Sequence, residues 1–323
     1  LNTYQLLVRE YLSLETPYRG VLVYHGLGTG KTASAVSLAE GLSTELKITT
    51  ILPASLETEF IKEVQQWGKE ELNKSGLWKY YSDKDISDNK MVNELDEKYN
   101  LGSKNRKRIM KNTQNFIRKK MLQENPDIKK NEIKQMEKEI LKLSGAWIPD
   151  KNGKKLEIEE GEEENFSEYE TIYLEQQLNL LVHKKYNFIH YNPFPKVKDS
   201  SLKDFIEEDD DEEDLDLLLD PDENKKINTH NKRIVDSLEK KLKKNRKENQ
   251  VNSPFYKEVI IVDEVHNFVR QVLNDGISPD DTRKLREAKR SSIFYEWIVN
   301  AEDIKLIFLS GTPVINKPCE IAI

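Results

Sequence analysis

The chain of 323 residues holds one cysteine, Cys319, so no internal disulfide can form and a reducing intracellular compartment is expected. No stretch approaches the roughly 18 consecutive apolar residues of a membrane-spanning helix, so no membrane partner is expected. The first residues carry no signal-peptide pattern. His183, His190 and His230 show no metal-ligand spacing with Cys319, which excludes a zinc site of ordinary form. No internal repeat is visible. Neither sign of charge dominates: Lys and Arg number 51, Asp and Glu 58, for a formal net charge of −7. The charges are segregated along the chain, so this balance does not exclude a nucleic-acid partner.

The apolar residues that are present form short runs. Val21-Leu22-Val23-Tyr24, Ile48 to Leu52, Tyr186 to Tyr191, Val259 to Val262 and Leu306 to Leu309 read as strands. Pro53 stops the second of them. Helical spacing marks Tyr4 to Leu12, Lys31 to about Leu42, Leu56 to Trp67, Tyr169 to Val182 and Arg283 to Asn300. Buried-type strands separated by helices predict an α/β fold with a parallel sheet covered on both faces. The expected core comprises 1–68, 186–193 and 255–323.

Two charge-rich segments interrupt that core. Residues 70–165 are rich in Lys, Glu and Asn, with apolar residues at helical spacing from Ile109 to Leu143. Two charged helices meeting near Asn125-Pro126 are expected, as is a hairpin turn at Lys151 to Lys154. Lys104 to Arg108 with Lys111, Arg118, Lys119 and Lys120 form a basic cluster on the first of these helices. It reads as a solvated helix face or a nucleic-acid contact. Residues 196–254 contain the acidic run Glu207 to Asp214 and the basic run Lys240 to Lys247, and are expected to be disordered. The chain begins at Leu1 and stops at Ile323, and is expected to be a piece of a longer protein.

Three strand ends carry chemistry. Gly26-Leu27-Gly28-Thr29-Gly30-Lys31-Thr32 follows the first strand and opens a helix. That order wraps backbone N–H groups around a triphosphate at a helix N-terminus, with Lys31 reaching the β- and γ-phosphates and the Thr32 hydroxyl on Mg²⁺. His25 stands where the general pattern has glycine. Asp263-Glu264-Val265-His266 follows the strand at 259–262. Asp263 is placed to hold Mg²⁺, and Glu264 to polarise an attacking water. Ser310-Gly311-Thr312-Pro313 follows the last strand, with hydroxyls able to hydrogen-bond the 263–266 loop. Taken alone, the second motif is an ordinary strand end and the third an ordinary turn.

Together these motifs resemble those of superfamily II helicases and translocases. Gly26 to Thr32 looks like motif I, Pro53-Ala54-Ser55-Leu56 like motif Ia, Asp263 to His266 like motif II, and Ser310 to Thr312 like motif III. Tyr4-Gln5 resembles the adenine-reading glutamine upstream of the phosphate loop. With His25, the runs Val262 to Phe268 and Leu309 to Asn316 are similar to the Snf2-related NTPases of large cytoplasmic DNA viruses, including the poxvirus-type early transcription factor small subunit and nucleoside triphosphatase I. The resemblance implies a RecA-like first motor domain spanning the chain, ATP with Mg²⁺, and DNA or RNA as the track. A second RecA-like domain, which completes the site in such families, has no counterpart here, so weak hydrolysis by this piece alone is expected.

Under the resemblance, Lys31, Asp263 and Glu264 are catalytic, and Thr32 and Asp263 hold the metal. Gly26, Gly28, Thr29 and Gly30 cradle phosphate, Gln5 reads adenine, and His266, Ser310 and Thr312 couple nucleotide state to neighbouring structure. Pro53 to Ser55 would touch a nucleic-acid phosphate; read alone, they are a strand-to-helix turn. The leading expectation is a nucleic-acid-dependent ATPase motor in viral transcription, with RNA polymerase or a transcription-factor subunit as partner. The implied location is the virion or host cytoplasm. Two alternatives stay open: a transcription-factor subunit in which ATP acts as an assembly switch, and a restriction-enzyme motor subunit.

Overall fold

The fold is described from a computed structural model. It describes residues 7, 10–24, 30–156, 166–190, 221–272 and 282–311, without the side chains at 221–233, 235, 271 and 282–290. The strands in chain order are β1 (Gly20–Tyr24), β2 (Lys47–Leu52), β3 (Leu77–Tyr81), β4 (Ala146–Pro149), β5 (Lys154–Lys155), β6 (Tyr186–His190), β7 (Glu258–Val262) and β8 (Lys305–Ser310). The helices are α1 (Lys31–Leu42), α2 (Glu57–Trp67), α3 (Asp83–Asp88), α4 (Lys90–Lys98), α5 (Ser103–Glu124), α6 (Lys130–Leu141), α7 (Glu168–Lys185), α8 (Pro221–Glu248), α9 (Val265–Val272) and α10 (Thr282–Val299). The chain forms two compact units, one of Leu1–Thr58 with Tyr186–Ile323 and one of Glu59–Lys185. Among the described residues, no helix is long and apolar enough to cross a membrane.

The first unit is built on a five-stranded sheet in the order β1-β8-β7-β2-β6. Every pairing in it is parallel, as the sequence leads one to expect. The central strand β7 is buried along its whole length. Successive side chains on a strand point to opposite faces. Ile260 and Val262 therefore join a cluster with α8, α9 and α10, centred on Leu238, Phe268, Phe294 and Trp297. Val259 and Ile261 point the other way and are equally buried. On its buried side α1 presents Ala33, Val36 and Leu38, and it touches β7 and β8. The architecture is an α/β, RecA-like sheet with helices around it. Burial of each large apolar side chain stabilises it by about 1.5–3 kcal/mol.

The described part of the stretch 196–254, from residue 221 on, departs from the disorder expected of it. Pro221–Glu248 is helical. Ile234, Leu238 and Leu242 recur every four residues and enter the core of the first unit. Dense charge hides this stripe in the sequence. The helix is fixed further by polar contacts. Asn245 donates to the Ser253 carbonyl at 2.8 Å, and Lys241 pairs with the buried Glu258 at 2.8 Å. Thr49 donates to the other oxygen of Glu258 at 2.7 Å, so that buried carboxylate is satisfied. The acidic run 207–214 lies outside the described residues.

The second unit contains the two charged helices expected near Asn125-Pro126, α5 and α6. It also contains a small antiparallel sheet, in the order β4-β3-β5, that the sequence did not announce. A turn forms at Asp150 to Gly153, where the Gly153 N–H reaches the Asp150 carbonyl at 2.9 Å. It is not the expected hairpin, because β3 lies between β4 and β5. Gln177 of α7 clamps β4, accepting from the Trp147 N–H at 3.0 Å and donating to its carbonyl at 2.7 Å. Gly145 passes so close to Tyr81 that an added Cβ would sit 1.8 Å from its carbonyl oxygen, so no side chain fits there.

Candidate functional site

The described candidate residues, Gly30 to Thr32, Asp263, Glu264, His266 and Ser310, follow or end β1, β7 and β8, which are contiguous in the sheet. Open parallel sheets place ligands at that edge. After β1, residues 25–29 lie outside the described set, and with them His25, Gly26, Gly28 and Thr29. Gln5 and Thr312 lie outside it as well. Gly30, immediately before α1, has a φ of 78°, which is left-handed and suits glycine. Its carbonyl accepts from the Ser34 N–H and hydroxyl, each at 3.0 Å, and so starts α1. Lys31 and Thr32 are the first two residues of the helix. No acidic residue occupies its first turn and, among the described residues, no side chain caps it, which leaves the positive end of the helix dipole available to an anion.

Asp263 stands one residue beyond β7. Its N–H extends the ladder to the Ile51 carbonyl at 3.0 Å. The side chain is buried, and burial pushes its carboxyl up to about 6. The Glu264 N–H, donating at 2.9 Å, opposes that rise. The charge of Glu264 adds to it, and that of Lys31 opposes it. The chain then turns sharply. Glu264 has a φ of 48°, a left-handed conformation that costs a residue with a side chain roughly 1–3 kcal/mol. Backbone strain of that kind clusters at functional sites. The turn lets α9 begin immediately at Val265.

His266 links two of the strand ends. Its Nδ1 lies 3.0 Å from the Ser310 hydroxyl and 3.2 Å from a Glu264 carboxylate oxygen. Ser310 is fully buried at the end of β8, level with Tyr24 of β1. The His266 ring thus stands within reach of both Glu264 and Ser310, between the ends of β7 and β8. The sequence offered this contact only as a possibility of hydroxyl chemistry.

A further pair at the same edge went unread. Glu57, at the start of α2, bonds His190, at the end of β6. It ties the chain after Pro53-Ala54-Ser55 to the outermost strand. Neither residue belongs to a motif, and their approach depends on β6 lying beside β2. Among the described residues, no three His, Cys, Asp or Glu side chains gather as a metal site. The hard oxygens of Asp263 and Thr32 suit a cation that takes its remaining ligands from phosphate and water, as Mg²⁺ does. A buried carboxyl held up at about 6 is one that such a cation would ionise.

No family model matches the chain, and no solved structure matches it. Two proteins of Acanthamoeba polyphaga mimivirus, each provisionally named an ATP-dependent RNA helicase, are similar to part of it. One is 41% identical over 61 residues, 19% of this chain and 11% of the relative. The other is 37% identical over 71 residues, 21% of this chain and 9% of the relative. The match therefore spans about a tenth of either relative's length. In each case about a fifth of the chain is similar to a protein so named.

Proposed function

We propose that this chain is the ATP-binding motor domain of a nucleic-acid-dependent ATPase. The observation that carries the reading is the contiguity of β1, β8 and β7, whose carboxyl ends bear Lys31, Ser310 and the Asp263–Glu264 pair. The charge of Lys31 is felt at Asp263, so the first and second motifs share one electrostatic environment. In this reading the α1 N-terminus and Lys31 hold the triphosphate. Asp263 and Thr32 hold Mg²⁺, which when bound neutralises phosphate charge. Glu264 orients the water that attacks the γ-phosphate in line, releasing ADP and phosphate. His266, close to Glu264 and to the Ser310 hydroxyl, couples the position of Glu264 to β8. Gly26, Gly28, Thr29, Gln5 and Thr312 complete the nucleotide contacts.

The helicase relatives support the motor class, and their mimiviral source supports a large DNA virus as the setting. The residue pattern from His25 onward supports the Snf2-related branch, and with it a role in viral transcription beside RNA polymerase. A second RecA-like domain elsewhere in the complete protein would supply the rest of the catalytic charge. The test is ATP hydrolysis by the complete protein, alone and with single-stranded DNA, duplex DNA or single-stranded RNA. Stimulation by one polymer, abolished in Glu264→Gln, is expected. Undiminished hydrolysis in Glu264→Gln would contradict the mechanism. Hydrolysis indifferent to every polymer would favour the ATP-switched transcription-factor subunit.

A further inference from the structure

Helix α5 of the second unit is chemically one-sided. From Ser103 to Gln123 it contains no acidic residue. Its inward stripe is Arg106, Ile109, Thr113 and Ile117, all buried. Arg106 is neutralised there by Asp96 and Asp83, at 2.7 and 2.8 Å. Lys120, at the margin, pairs with Glu168 at 2.6 Å. The opposite face carries Lys104, Lys107, Arg108, Lys111, Arg118 and Lys119, all exposed. None of these pairs with an acid among the described residues. Lys104, Arg108, Lys111 and Arg118 fall at spacings of four, three and seven, which aligns them along the helix.

The C-terminal end of the neighbouring helix α7 adds to the stripe. Lys184 is held below the usual lysine range by burial and by the charges of Arg108 and Lys104. Helix α6 of the same unit shows what an ordinary solvated face looks like: Lys130, Lys134 and Lys138 alternate with Glu132, Glu137 and Glu139. Like charges one turn apart destabilise a helix, so this run of cations with no acid among them costs α5 local stability.

The shape of the stripe selects its ligand. Lys104 to Lys119 extend about 22 Å along the axis at 1.5 Å per residue. A compact anion would meet only one end of that row. A single nucleic-acid strand, with a charge about every 3.4 Å, would run along all of it. A membrane surface is disfavoured because the apolar side of α5 is already spent in the core. An acidic protein surface offers no comparably regular line of charge, whereas the phosphates of a strand repeat along the whole length of the row. Phe116, 49% exposed and one turn from Lys119, flanks the row where an unstacked base could rest on it.

We propose that the outward face of α5 is a sequence-independent track for the phosphate backbone of a nucleic acid, carried by residues other than those of the nucleotide site. The proposal rests on the nucleic-acid reading above and adds a second contact surface to it. Its test is binding of labelled single-stranded DNA and RNA to the full chain without nucleotide, across a salt series. The variant Lys104→Gln/Arg108→Gln/Lys111→Gln/Arg118→Gln is compared with Lys62→Gln/Lys84→Gln/Lys90→Gln/Lys134→Gln, which removes equal charge elsewhere in the unit. The first variant should lose about tenfold or more in affinity, and its dependence of log affinity on log salt should flatten by about 2–3. The control should stay near wild type. Equal affinity and slope in the two variants would overturn the proposal, as would an absence of nucleic-acid binding by the wild type. ATP is omitted, so failure here is distinct from failure of the nucleotide-site reading, which Lys31→Ala tests.

Discussion

The two units solve the same problem of burial with different grammar. The first stacks short β-branched strands such as Val259-Ile260-Ile261-Val262 into a parallel sheet whose carboxyl edge collects the chemistry. The second makes a core from aromatic residues and long charged helices, with Trp78 and Trp147 fully buried, and it also holds a buried Arg106–Asp96 ion pair. The difference teaches where function should be sought in each. In the first unit it sits at strand ends, in side chains brought together from distant sequence. In the second it would sit on a helix face, in residues adjacent along one element.

The comparison is broken most forcefully at the second unit's ion pair. Arg106→Ala leaves Asp96 buried without its partner and should destabilise that unit by about 3–5 kcal/mol. Hydrogen exchange should then quicken in α4 and α5 while the β7 and β8 amides keep their protection. The converse experiment is Leu238→Ala in α8, which should cost about 2–5 kcal/mol and expose the amides of β7 instead. Slowly exchanging β7 amides in Leu238→Ala would contradict the assignment of α8 to the core of the first unit.

A subtler distinction lies in pH. Asp263 titrates near 6 in the folded chain, against an ordinary 3.8. As pH rises from about 4, the unfolded chain ionises this group first, so stability falls until about pH 6 and then levels. The full shift corresponds to roughly 3 kcal/mol. Asp263→Asn should flatten that part of the profile, measured as urea midpoints from pH 4 to 7. An unchanged profile would mean that the carboxyl is better solvated than its burial indicates.

Much of the first unit was legible. Each of its strands is a short apolar run bounded by Pro, Gly or charge, and the boundaries fell within a residue or so of those observed. Helix α8 was not legible, because Ile234, Leu238 and Leu242 are thin signals among Lys, Glu and Asn, and only the facing core shows that they matter. In the second unit, β3 and β4 were missed because Leu-Trp-Lys-Tyr-Tyr and Ala-Trp-Ile-Pro are too short to show alternation. At the site, the motifs could be read from their order, since loop chemistry directly after a strand is a local pattern. The left-handed turn at Glu264 and the Glu57–His190 contact could not, because both arise from how the strands lie beside one another.

The central claim is that the edge bearing Lys31, Thr32, Asp263 and Glu264 binds ATP. The most direct measurement is titration of the chain with a fluorescent ATP analogue and Mg²⁺, in wild type, Lys31→Ala and Glu264→Gln. The account predicts saturable binding in wild type, a loss of about tenfold or more in Lys31→Ala, and near-normal affinity in Glu264→Gln, whose role is in hydrolysis. Equal affinity in wild type and Lys31→Ala would contradict it.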